Sequence, residues 1–76
     1  MRYDITITDT YGGELNYSWV RRYSIEAPAD IRTPQLVRRA KREAGLSGRH
    51  TTDDYGDSVT VRMRGACVAM TVEARP

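Results

Sequence analysis

Apolar and polar side chains alternate with a period of two in several segments of this chain. Near the start, Tyr3, Ile5 and Ile7 alternate with polar residues, which predicts a β-strand with one apolar face. The same alternation predicts two strands in the second half of the chain. Their apolar positions are Val59, Val61 and Met63 in one strand, and Val68, Met70 and Val72 in the last.

A second strand is predicted over residues 14–27, after a turn at Gly12-Gly13 that forms a hairpin with the first strand. Its apolar residues share one phase, except that Arg21 falls on the apolar phase and Val20 on the polar one. Either a β-bulge changes the register here, or Arg21 lies at the sheet edge and extends its charged end into water. The pattern favours the bulge.

The spacing of apolar residues changes to a helical period between residues 34 and 44. Thr33 suits the N-cap, Pro34 suits the first helical position, and Gly45 ends the helix. Arg39, on the flank of the helix, stands four residues before Glu43, a spacing at which the two side chains could form an ion pair. The apolar stripe consists of Leu36, Val37, Ala40 and Ala44.

These elements predict one small α+β domain over residues 1–76. It is a two-layer fold, with a four- or five-stranded antiparallel sheet and one helix packed on one face, in the order ββαββ. Leu46 is expected to cover the core after the helix. The polar residues 48–54 form either a short edge strand or a loop, and the tail 74–76 is expected to be frayed.

Composition excludes several chemistries. Cys67 is the only cysteine, so no intrachain disulfide forms, and one cysteine with one histidine does not complete an ordinary zinc site. Because Cys67 stands among small apolar residues, we expect it to be buried in the last strand, with a reactive or intermolecular thiol as the alternative. The sequence has no apolar run of membrane-spanning length, and its cysteine usage indicates an intracellular protein.

Positive charge is concentrated around the predicted helix. The net charge is +2, but residues 31–50 carry six basic and one acidic side chain, and eleven of the twelve basic residues are arginine. A GC-rich genome would explain the arginines, and so would a need for bidentate donors to phosphate or carboxylate. Three interpretations of such a helix face stay open: a solvated surface, a phosphate-binding surface, or a contact surface for an acidic protein. Its residues are Arg32, Arg38, Arg39, Lys41 and Arg42.

Aromatic residues stand next to arginines in the second strand. Tyr11, Arg21 and Arg22 are lesser candidates for a binding surface, because rings between arginines can stack bases or anchor a protein interface. Tyr17, Trp19 and Tyr23 belong to the same stretch, but their phase also fits a place in the core.

Two polar groups near residue 50 are further candidates. Asp53, Asp54 and Asp57 form an acidic patch that could bind a hard cation or a basic partner, or be a solvated loop. His50 follows the basic helix, an arrangement loosely similar to small ribonuclease toxins that cleave RNA by general acid–base catalysis. No second general acid or base is evident, so a structural His50 is the alternative. We expect no cofactor, no metal and no catalytic residue.

The segment Asp9-Thr10-Tyr11-Gly12-Gly13-Glu14-Leu15-Asn16-Tyr17-Ser18-Trp19-Val20-Arg21-Arg22 resembles small proteins of tailed phages and prophages. The stretches 54–57 and 65–70 are similar to the same group. This resemblance supplies no activity or catalytic residue. It implies a non-enzymatic protein in the cytoplasm of an infected bacterium, which binds a host or defence-system protein and inhibits it. The alternative is a small nucleic-acid-binding protein that uses the arginine-rich helix face. We expect no contact with membrane, and a monomer or a homodimer formed through an exposed edge strand.

Overall fold

A computed structural model describes residues 1–10 and 16–75, with only the backbone described for residues 16–19. Its strands are β1 (Arg2–Asp9), β2 (Asn16–Glu26), β3 (His50–Asp54), β4 (Ser58–Met63) and β5 (Val68–Arg75), and its helix is α1 (Thr33–Ala44). The predicted turn at Gly12-Gly13 lies outside the described residues.

The five strands form one antiparallel sheet in the order β2-β1-β5-β4-β3. The α+β class and the five-stranded alternative are therefore confirmed. The predicted order ββαββ omitted a strand, because α1 stands between β2 and β3 and three strands follow it. That strand is β3, for which the sequence left an edge strand and a loop both open, because HTTDD has no apolar residue and so no alternation to decide between them.

The core joins side chains of α1 to alternate residues of the three central strands. Leu36, Val37 and Ala40 of the helix are buried in the same cluster as the strand residues. The strand residues of this cluster are Tyr3, Ile5 and Ile7 of β1, Val59, Val61 and Met63 of β4, and Met70 and Val72 of β5. The apolar phases predicted for β1, β4, β5 and the helix are confirmed, and Leu46 packs against the cluster as expected.

The register between β1 and β2 changes abruptly. Thr8 pairs with Val20, but the next residue, Asp9, pairs with Asn16. This irregularity immediately precedes Val20 and Arg21, where the sequence predicted a bulge. Beyond it Arg21 lies opposite Ile7 in an edge strand and is exposed.

Two expectations about the second half of the chain are wrong. The tail is not frayed as far as Arg75, because β5 extends to that residue and the Arg75 Nε donates to Asp4 Oδ2 at 2.7 Å. Cys67 is not buried in a strand: it is exposed, in the turn between β4 and β5. Small apolar neighbours made Cys67 look like a core residue, but β5 begins one residue later.

Candidate binding face on the helix

The helix α1 turns part of its basic surface outward because its apolar residues point into the core. Burial of Leu36, Val37 and Ala40 fixes the rotation of the helix about its axis. Arg38 and Arg42 lie on the opposite side and are exposed. Gly45 ends the helix in the left-handed conformation with a φ of 73°, and its N–H donates to the Arg42 carbonyl oxygen.

A groove of about 500 Å³ lies between the outer side of α1 and the segment that precedes it. Four of the five predicted helix-face residues line it, the exception being Lys41. The complete lining is Pro28, Asp30, Ile31, Arg32, Gln35, Arg38, Arg39 and Arg42. The sequence did not single out Pro28, Asp30, Ile31 or Gln35 as site residues. Gln35 shares a helix stripe with Arg38 and Arg42, which was the one signal for it.

A second groove of about 390 Å³ lies along the other side of the same arginines. Arg38 and Arg42 line both grooves and so stand on the ridge between them. The second groove adds Lys41 and Leu46, with the loop residues Ser47 and Gly48. A partner that covers this ridge would meet two guanidinium groups with partly apolar grooves on both sides.

The five predicted basic residues are not equivalent. The Arg39 Nη2 donates to the Glu26 carbonyl oxygen at 2.8 Å, which ties this side chain to the end of β2. The ion pair with Glu43 that the spacing allows does not form in the described structure. Arg32, Arg38 and Arg42 have no side-chain partner among the described residues, so their donors face solvent.

Lys41 bends towards β3 and does not join the outward arginines. Its Nζ donates to the Gly48 carbonyl oxygen at 2.7 Å and lies 3.0 Å from His50 Nδ1. His50 is half-buried and pairs with Met63 of β4. These contacts give Lys41 and His50 a structural role in joining α1 to β3.

The predicted acidic patch is divided by the strand that carries it. Asp54 pairs with Val59 and Asp53 with Thr60, so their side chains leave β3 on opposite faces. The Asp54 Oδ2 accepts from Thr33 Oγ1 at 2.7 Å, and its Oδ1 accepts from the Gly56 N–H at 2.9 Å. These hydrogen bonds, that of Gly56 first, lower the pKa of Asp54 below the ordinary 3.8.

Thr33 therefore has a different role from the predicted N-cap. The N-cap residue is Arg32, whose side chain makes no capping bond, and the Thr33 hydroxyl is used by Asp54. Within residues 1–10 and 16–75, no three His, Cys, Asp or Glu side chains converge in a way that could hold a metal ion.

The lesser candidates Arg21 and Arg22 do not form one continuous surface with the basic residues of α1. Arg22 pairs with Thr6 and Arg21 with Ile7, so the two arginines point to opposite faces of the sheet. Tyr11 and the side chains of Tyr17 and Trp19 lie outside the described residues. Arg22 lines a different groove, of about 370 Å³, where Asp4 contacts Arg2 at 3.3 Å and Arg75 at 2.7 Å.

Comparison of the chain with models of protein families, with curated proteins and with solved structures finds no match. In the described part of the chain, no helix has the length and apolar character needed to cross a membrane. Among the described residues, the outer side of α1 combines exposed positive charge with two grooves.

Proposed function

We propose that this chain is a non-enzymatic phage-encoded accessory protein, which inhibits a host or defence-system protein in the bacterial cytoplasm by binding to an acidic surface on it. The contact surface is the outer side of α1, centred on Arg32, Arg38 and Arg42. The phage setting is supported by the resemblance of residues 9–22 to small proteins of tailed phages.

In this proposal α1 lies across one face of the sheet and is held there as a rigid contact element. The burial of Leu36, Val37 and Ala40 with strand side chains supports this arrangement. The backbone of a contact element held by a core is already ordered, so binding has to order only its arginine side chains.

The single observation that carries the proposal is the three exposed arginines beside a groove with apolar lining. Arginine combined with apolar contact is typical of the residues that dominate protein interfaces. Ile31 and Pro28 supply the apolar part of the lining, and the guanidinium groups supply bidentate donors for carboxylates. An acidic protein surface with one projecting apolar side chain matches both.

Charge favours a protein partner over nucleic acid. Three phosphate contacts give a total slope of only about −2.7 in a plot of log affinity against log salt concentration, compared with about −5 to −9 for a protein that contacts six to ten phosphates. Asp30 also lines the groove and would repel a phosphate backbone, while the whole chain carries only +2. Nucleic-acid binding remains the alternative, in which the ridge of Arg38 and Arg42 would contact the phosphates.

Capture from an infected host lysate with matched charge variants tests the proposal. Arg38→Glu with Arg42→Glu reverses the ridge, while Arg62→Glu with Arg64→Glu makes the same change of charge at exposed positions of β4 and the turn after it. We expect the wild type and the control to retain the same protein and the ridge variant to lose it. Equal retention by both variants would remove the helix face as the contact surface.

Titration with generic DNA and RNA at low salt distinguishes nucleic-acid binding from the proposed binding to an acidic protein. If the affinity for nucleic acid falls steeply with salt and is lost in the Arg38→Glu, Arg42→Glu variant, the result would favour nucleic acid over a protein as the partner. We expect no saturable binding under these conditions. The enzyme hypothesis has its own test, since His50→Ala should leave inhibition unchanged if no general acid–base chemistry is involved.

A further inference from the structure

The edge of the sheet formed by β2 has the features of a self-pairing surface. β2 has β1 on one side, and no described strand lies on its other side. Residues Arg22, Ser24 and Glu26 are exposed, and the stretch from Val20 to Glu26 contains no proline. An edge of this kind offers unpaired N–H and C=O groups to another strand.

The hydrogen bonds of β1 determine which groups of β2 point outward. The Ala27 N–H donates to the Met1 carbonyl oxygen at 3.1 Å, so Ala27 faces β1. Because bonded and non-bonded pairs alternate in an antiparallel ladder, Arg22, Ser24 and Glu26 direct their backbone groups away from β1. The bond from Arg39 to the Glu26 carbonyl oxygen agrees with this, since that oxygen is not used by β1.

We propose that two copies of this chain associate through β2, antiparallel about a two-fold axis at Ser24, so that their sheets join into one. In this register Ser24 pairs with Ser24 of the second copy and exchanges both backbone bonds with it. Arg22 lies opposite Glu26 of the second copy, and Glu26 opposite its Arg22. The Glu26 carbonyl oxygen has two acceptor positions, so it can accept from Arg39 and from the second copy together.

Side chains select this register over its neighbours. With the axis at Ser24, two opposite-charge pairs form on one face, and Tyr23 lies opposite Ile25 of the second copy on the other. Both Tyr23 and Ile25 are only half-buried in the single chain, so pairing covers more of their apolar surface. An axis at Tyr23 loses both charge pairs, and an axis at Arg22 sets two guanidinium groups opposite each other.

The opposite edge of the sheet is less suited to this contact. β3 has no apolar residue to pair across strands, and Asp53 and Asp54 would bring carboxylates to the contact. The second copy is therefore assigned to β2, and this assignment is independent of the function proposed for the helix face.

Variants that exchange the charges at positions 22 and 26 test the contact. The dissociation constant of each dimer is measured by sedimentation equilibrium over a range of protein concentrations. Arg22→Glu and Glu26→Arg each place like charges opposite one another, and each should raise the dissociation constant of the dimer by about tenfold or more. The double variant carrying both changes restores opposite charges and should recover a dissociation constant near that of the wild type. Arg62→Glu, exposed on β4 away from the edge, serves as the control and should change nothing.

Amide hydrogen exchange gives a second measurement on the folded wild-type protein. Protection of the Arg22 and Ser24 N–H groups should rise with protein concentration, whereas the exposed helix residues should not change. A protein that is monomeric at every concentration overturns the proposal. A dimer whose dissociation constant ignores both charge reversals, or responds to the Arg38 and Arg42 variants instead, overturns it as well.

Discussion

A single carboxylate, that of Asp54, joins the first turn of the helix to the turn between β3 and β4. One of its oxygens accepts from the Thr33 hydroxyl and the other from the Gly56 N–H. His50 at the other end of β3 contacts Lys41 near the end of the helix. A strand without apolar residues is thus attached to α1 by polar contacts at both of its ends.

Replacement of Asp54 by Asn should make stability depend less on pH. The folded protein holds the pKa of Asp54 below its ordinary value, so the ionised carboxylate stabilises the fold above about pH 4. That contribution is lost as the pH falls through the lowered pKa. We therefore expect a lower urea midpoint for Asp54→Asn at pH 7, and a difference from wild type that shrinks towards pH 2.

Asp53→Asn is the matched control for this experiment, because Asp53 is a neighbouring carboxylate on the opposite face of β3. Its urea midpoint should follow that of the wild type across the whole pH range. A constant difference between wild type and Asp54→Asn from neutral to acid pH would contradict a role for the ionised carboxylate.

Among the elements, the helix depends on how its last turn is closed. Gly45 has a φ of 73°, and a Cβ built there would meet no atom within 4 Å. The cost of a side chain at this position is thus conformational and not steric. We expect Gly45→Ala to lower the free energy of unfolding by about 1 kcal/mol, measured by urea denaturation.

Gly45→Asn separates this explanation from a general intolerance of substitution. Asparagine adopts the left-handed conformation more readily than alanine, so it should cost less than alanine despite its larger side chain. An asparagine variant less stable than the alanine variant would indicate a packing constraint that the structure does not contain.

The close approach of helix and strands depends on a small side chain at Ala40. Ala40 is fully buried in the cluster shared with β1, β4 and β5. Ala40→Leu adds volume to this contact and should lower the free energy of unfolding by about 1–3 kcal/mol. The control is Glu43→Leu at an exposed position of the helix, which should change the free energy of unfolding by no more than about 0.5 kcal/mol. Urea denaturation of both variants measures the two effects.

At the scale of the whole molecule, the sequence predicts the elements better than their arrangement. Apolar phases located β1, β4, β5 and the helix, because burial of one face imposes a period. They could not give the strand order, since pairing of β1 with β5 connects the two ends of the chain. The arginines of the binding face followed from the helical period. The bonds of Arg39 and Lys41 did not, because their acceptors are the backbone carbonyl oxygens of Glu26 and Gly48, which no side-chain pattern reveals.

The pairing of Arg2 with Arg75 implies that a circular permutant retains the fold. The ends of β1 and β5 lie side by side in an antiparallel pair, so a short Gly- and Ser-rich linker would convert them into a hairpin. New ends can be opened between Ser47 and Gly48, which are exposed in the loop after α1. This break leaves every strand and the helix continuous.

The permutant should fold faster than the parent chain. In the parent chain, the pairing of β1 with β5 closes a loop of about 70 residues. In the permutant a linker of about four residues joins the two strands, which lowers the entropic cost of this closure by about 2 kcal/mol. If the pairing of β1 with β5 forms in the transition state, the folding rate rises up to about thirtyfold while the unfolding rate changes little. Stopped-flow folding of the two chains measures both rates. An unchanged folding rate in a permutant of native structure would mean that these strands pair after the rate-limiting step.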